Sequence, residues 1–135
     1  MARVMADNDV QGQFTDLLRF LKSSSWQDVF SDLRVVVETF ESLGLSRGAN
    51  DGEVWQKCQG EGVILFTGNR SGDGPNSLEM TIREHNQPHS LPVITLGDAE
   101  RFRHDRAYAE RAAERLLVYL IDLEVYRGAG RLYVP

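Results

Sequence analysis

A chain of 135 residues, 41% apolar and 26% charged, is sized and composed for one soluble globular domain. No apolar run approaches the roughly 18 residues of a membrane span. The start of the chain has no signal-peptide core, and a single cysteine, Cys58, rules out an internal disulfide and suits a reducing cytoplasm. A net charge of −5 argues against broad nonspecific nucleic-acid binding, but not against a metal-dependent nuclease, whose clustered acids add negative charge.

Residues 3–6 predict a short first strand. Phe14, Leu17, Leu18 and Leu21 recur at helical spacing and predict an amphipathic helix over 11–22, broken by Ser23-Ser24-Ser25. Trp26, Val29, Phe30 and Leu33 predict a second, short helix, and the β-branched stretch 34–37 a second strand. After a loop at 43–50, Asn50 or Asp51 caps a helix that runs to about Gln59, with Gly60 and Gly62 ending it. Residues 63–67 form a continuous apolar strand, the pattern of a strand covered on both faces. A glycine-rich loop at 68–75 leads to a helix capped by Asn76 or Ser77 and reaching about His85. Residues 93–96 predict another strand, followed by a turn at 98–103. The longest helix spans about 105–124, with Ala109, Ala113, Leu116, Leu117 and Leu120 as its buried stripe, and its later part reads as covered on more than one side. Residues 131–134 predict a final edge strand. Strands alternating with helices imply an α/β fold: a three-layer sandwich around a mainly parallel sheet of about four to five strands.

Three of these strands end in polar, mostly acidic residues, and parallel strands bring their carboxyl ends to one rim. Asp7 and Asp9 follow the first strand, two residues apart, so both could reach one cation; a local turn and helix cap explains them equally. Asp51 opens a helix, either as a dipole-friendly acid or as a group aimed across the rim at Asp7. Thr67, Asn69, Arg70 and Asp73 stand in the glycine-rich loop, which offers polar side chains to a ligand. The loop lacks both the Walker and the dinucleotide-binding patterns. Asp98 is a further rim acid or the cap of its own turn. Gathered carboxylates repel unless a divalent cation neutralises them, so Asp7, Asp9, Asp51 and Asp98 are the candidate metal ligands. His85, His89 and His104 have no metal-ligand spacing. The arginines at 101–115 fit a solvated helix face, with Arg101, Arg103 and Arg106 close enough to the rim to contact phosphate.

The order of these pieces resembles the small PIN-like proteins. Arg3–Asp7 is a strand ending in Asp, Gly44-Leu45-Ser46-Arg47-Gly48-Ala49-Asn50-Asp51 opens a helix, and Val63–Thr67 is an apolar strand ending in Thr. Thr67–Arg70, Gly74–Glu79 and Tyr126–Tyr133 are similar to an uncharacterised bacterial branch. The resemblance implies a single PIN-like domain over 1–135 and a ribonuclease dependent on Mg²⁺ or Mn²⁺, with Asp7 as the strand acid and Asp51 as the helix acid in catalysis. It also implies RNA as substrate and a place in a toxin–antitoxin pair with an antitoxin partner; whether the chain forms a homodimer is left open by the sequence. Where related chains carry Thr-x-Asp-x-Asp, this one has Thr67, Asn69 and Ser71. Two alternatives stand beside it. Asp7-Asn8-Asp9 has the D-x-D form of haloacid dehalogenase phosphatases, but no lysine follows Lys57. A PIN-like scaffold that lost catalysis would act as an interaction protein instead.

Overall fold

The computed structural model describes residues 1–69 and 74–135. Its elements are β1 (Arg3–Ala6), α1 (Gln11–Ser23), α2 (Gln27–Leu33), β2 (Val36–Glu38), α3 (Asp51–Glu61), β3 (Val63–Thr67), α4 (Leu78–His85), β4 (Val93–Leu96), α5 (Ala99–His104), α6 (Arg106–Ile121) and β5 (Arg131–Val134). Five strands make one all-parallel sheet in the order β2-β1-β3-β4-β5. The chain leaves β1 outward to β2, then returns to build β3, β4 and β5 on the other side. The winding direction therefore reverses between β1 and β3, and in open α/β sheets the crevice above such a reversal is where ligands bind.

Side-chain alternation divides the core in two. Val4, Ala6, Ile64, Phe66, Ile94, Leu96 and Val134 pack against α1, α2, α5 and α6. Met5, Val63, Leu65 and Val93 face α3 and α4. All five residues of β3 are buried, as an apolar strand between two helical layers must be.

Several boundaries differ from the sequence pattern for identifiable reasons. Arg34 caps α2 in the left-handed region at φ 52°, so β2 cannot begin until Val36. Gly60 lies within α3, and Gly62, at φ 70°, is the residue that ends it. The expected turn at 98–103 is the helix α5, capped by Asp98. Helix α6 stops at Ile121 and gives way to a 3₁₀ turn, Leu123–Tyr126. Its later part is covered on one side only, because it lies in an outer layer: Val118 and Ile121 are exposed. Ala109 is partly buried, while Tyr108, Ala112 and Tyr119 join Ala113, Leu116, Leu117 and Leu120 in the buried stripe.

One side chain substitutes for missing backbone pairing ahead of β4. The Gln59 amide donates to the Leu91 carbonyl at 2.8 Å and accepts from the Leu91 N–H at 3.0 Å, clamping α3 to the entry of that strand. Gln59→Ala leaves both Leu91 groups unpaired in a partly buried place. It is expected to lower unfolding free energy by about 1–3 kcal/mol, read by urea denaturation.

Candidate functional site

The carboxyl ends of β1 and β3 lie side by side, and the Asp7 N–H continues their ladder by donating to the Phe66 carbonyl at 2.7 Å. Asp7 follows Met5 by two residues, and Thr67 follows Leu65 in the same way, so both side chains stand on the α3/α4 face. The buried Thr67 hydroxyl donates to Asp7 Oδ2 at 2.9 Å, and the Asn8 N–H donates to Asp7 Oδ1 at 2.8 Å. These two bonds fix the carboxylate and favour its charged form. Burial outweighs them and pushes its pKa above the usual aspartate value, and the negative charges of Asp9 and Asp51 add in the same direction.

Asp51 reaches this place because another residue takes over the helix cap. Asn50 and Glu53 form a reciprocal capping box at the start of α3, each bonding the other's backbone N–H. The Asp51 carboxylate is left to turn sideways. Its Oδ2 accepts from the Asn69 amide at 2.9 Å and from the Leu78 N–H, the first of α4, at 3.2 Å. It therefore joins the amino ends of two helices, where positive partial charge suits an anion. The Asn69 N–H donates to the Thr67 hydroxyl at 3.0 Å. A continuous path of hydrogen bonds thus runs Asp7–Thr67–Asn69–Asp51.

Asp9 is more exposed and sits on the loop that follows β3, where its Oδ1 accepts from the Gly68 N–H at 3.3 Å. A Cβ on residue 68 would lie 2.9 Å from the buried Val10 Cγ1 and 3.0 Å from Asp9 Oδ2, so glycine is what lets this loop lie against Asp9. Asp98 stands at the end of β4 and accepts the Arg101 N–H at 2.9 Å, serving its own helix. Arg70 and Asp73, two of the expected substrate contacts, lie outside the described residues.

No protein-family model, curated protein or solved structure matches the chain. What the site can do must follow from its own chemistry.

Two residues that the sequence pattern did not single out complete the rim. Arg47 donates to Asn8 Oδ1 at 3.1 Å and receives the Asn8 amide on its carbonyl at 3.0 Å, tying the loop before α3 to the Asp7–Asp9 turn. Its exposed guanidinium also pairs with Glu41 at 3.0 Å. Arg131 of β5 lies beneath the loop after β3 and bonds the Asn69 carbonyl at 2.7 Å. Cys58 is buried in the α3 layer, and its thiol is pushed up to about 12 by burial, with the charge of Asp7 adding to the effect. It stays protonated and is no nucleophile.

The donor set suits a hard cation: carboxylates from Asp7, Asp9 and Asp51, the Thr67 hydroxyl and the Asn69 amide all offer oxygen. Among the described residues, no three His, Cys, Asp or Glu side chains gather closely enough to form a ready-made cage.

Proposed function

We propose that this chain is a single-domain, PIN-like, metal-dependent ribonuclease that cleaves single-stranded RNA at the rim between β1 and β3. The observation that carries this reading is the meeting of Asp7 and Asp51 there, joined by Thr67 and Asn69 and close enough for the charge of Asp51 to raise the pKa of Asp7. Carboxylates that repel one another lower the stability of a fold until a bound cation or a proton neutralises them.

In this reading Asp7 and Asp51 hold Mg²⁺ or Mn²⁺, with Asp9 beside them and Asp98 at the margin. When bound, the metal would polarise a phosphoryl oxygen and supply a hydroxide-like nucleophile near neutral pH. Thr67 fixes the rotamer of Asp7 through its hydroxyl. Asn69 does the same for Asp51 through its amide. Arg47, bonded to Asn8 and to Glu41, would exchange Glu41 for the phosphodiester, which matters for a chain of net charge −5 meeting a polyanion. An antitoxin chain remains an expectation of the PIN-like resemblance.

The phosphatase alternative draws on the same Asp7-Asn8-Asp9 turn and on Thr67, so one assay separates the two. Purified protein is incubated with single-stranded RNA and with a chromogenic phosphomonoester, each with Mn²⁺ or with chelator. RNA cleavage that needs Mn²⁺ and is lost in Asp51→Ala is the expected outcome. Ester hydrolysis without RNA cleavage would move the assignment to a phosphatase, and inactivity on both to an interaction protein.

A further inference from the structure

Arg131 is an unusual residue for its position. Within β5, Leu132 and Val134 pack on the α1/α6 side, so Arg131 points to the other face, under α4. Its side chain is only 6% exposed. Nη1 donates to both the Thr95 hydroxyl and the Asn69 carbonyl, each at 2.7 Å. Nη2 meets Glu79 at 3.5 Å, and Nε has no partner among the described residues.

As a stabilising device this is poor. Burying a guanidinium with one N–H unsatisfied costs more than a well-packed apolar side chain at the same place. What the guanidinium does, and an apolar residue cannot, is grip the Asn69 main chain from below. Among the described residues, Asn69 is held at three points: its N–H by Thr67, its carbonyl by Arg131, and its side-chain amide by Asp51. Thr95, buried next to Thr67 in the strand register, anchors the guanidinium to the sheet. A polar row thus crosses one face of four strands, from Asp7 through Thr67 and Thr95 to Arg131.

We propose that Arg131 is a positioning residue of the rim site: by holding the Asn69 carbonyl it aims the Asn69 amide at Asp51 and sets the carboxylate for the cation. The metal half of this statement rests on the function proposed above; the Asn69 half does not.

The test uses the full-length chain in two measurements. In the metal-free protein, the Asn69 side-chain N–H₂ signals are followed by ¹⁵N NMR. In Arg131→Met they should collapse to the positions of a solvent-exposed amide. In Arg131→Lys they should stay near wild type, because one ammonium can serve both acceptors. Mn²⁺ affinity is then measured by calorimetry. Arg131→Met should bind about tenfold or more weakly, as losing the support behind a ligand typically does. The same loss should appear in Asn69→Ala, and the double variant should be no weaker than either single one. If Arg131→Met does not fold, Thr95→Val removes the anchor and should shift the same Asn69 signals. Unmoved Asn69 signals in the folded variants would overturn the positioning role. Displaced signals in a chain whose wild type binds no Mn²⁺ would leave that role standing and remove the ribonuclease reading instead.

Discussion

Asp7→Asn is expected to abolish Mn²⁺ binding and lower RNA cleavage by at least about a hundredfold, while gaining stability relative to wild type as the pH rises. The first effect follows from removing the central carboxylate, since metal-assisted charge stabilisation is worth several kcal/mol and each 1.36 kcal/mol is about tenfold in rate. The second follows from linkage. Burial, with Asp9 and Asp51 adding, raises the folded-state pKa of Asp7 above its ordinary value. The native state then binds the Asp7 proton more tightly than the unfolded chain does. That contribution is fully present below the unfolded pKa and is lost as the pH climbs through the folded one. Asparagine does not titrate and escapes the loss, although one amide oxygen cannot accept from both Asn8 and Thr67 as the two carboxylate oxygens do. The difference in Tm, variant minus wild type, should therefore grow between pH 4 and pH 8 by thermal denaturation. Mn²⁺ at pH 8 should raise the wild-type Tm and leave the variant unmoved. A difference that shrinks with pH, or equal Mn²⁺ heats in the two proteins, would contradict this account of the site.

The fold was largely legible in the sequence because its signals are local and strong. The continuous apolar run of β3 requires cover on both faces, and the Phe14–Leu21 stripe of α1 requires a partner on one. Asp7 and Thr67 were legible for the same reason, as polar residues that end apolar strands. What local pattern does not encode is which strands become neighbours. The order β2-β1-β3-β4-β5, and with it the reversal point between β1 and β3, is a property of the whole sheet. Asn50 and Asp51 are interchangeable as caps in sequence, and only the capping box with Glu53 shows that Asn50 takes the cap and leaves Asp51 for the rim. Helix α5, six residues long, is too short to display a period. Arg131 was the hardest to see. A lone charge in a short edge strand normally points to solvent, and only pairing with β4 under α4 turns this one inward.

Gly128→Ala is expected to be the most damaging single-methyl change in the connection to β5, with a loss of about 3 kcal/mol or more. Two separate penalties meet at this position. Its φ of +85° is left-handed, which alone costs a non-glycine residue about 1–2 kcal/mol. A Cβ there would also lie 2.8 Å from the Pro88 carbonyl oxygen and 3.1 Å from Pro88 Cα, and backbone cannot swing aside as a side-chain tip can. Nor can the glycine drift away. Its N–H donates to the Ser90 carbonyl at 2.9 Å, and its own carbonyl accepts the Asn86 amide at 2.8 Å. Gly44 supplies the internal control: its φ is +71°, yet nothing lies within 4 Å of the Cβ position, so Gly44→Ala should cost only the conformational part, about 1–2 kcal/mol. Urea denaturation of the two variants measures the steric part by difference. The same displacement reaches the site, because Gly128 lies three residues before Arg131 and sets where β5 begins. In Gly128→Ala that remains folded, the Asn69 amide signals should move as they do in Arg131→Met, whereas in Gly44→Ala they should not. Equal losses in the two alanine variants would mean that the contact with Pro88 relaxes without cost, and that the start of β5 is not held where Arg131 needs it.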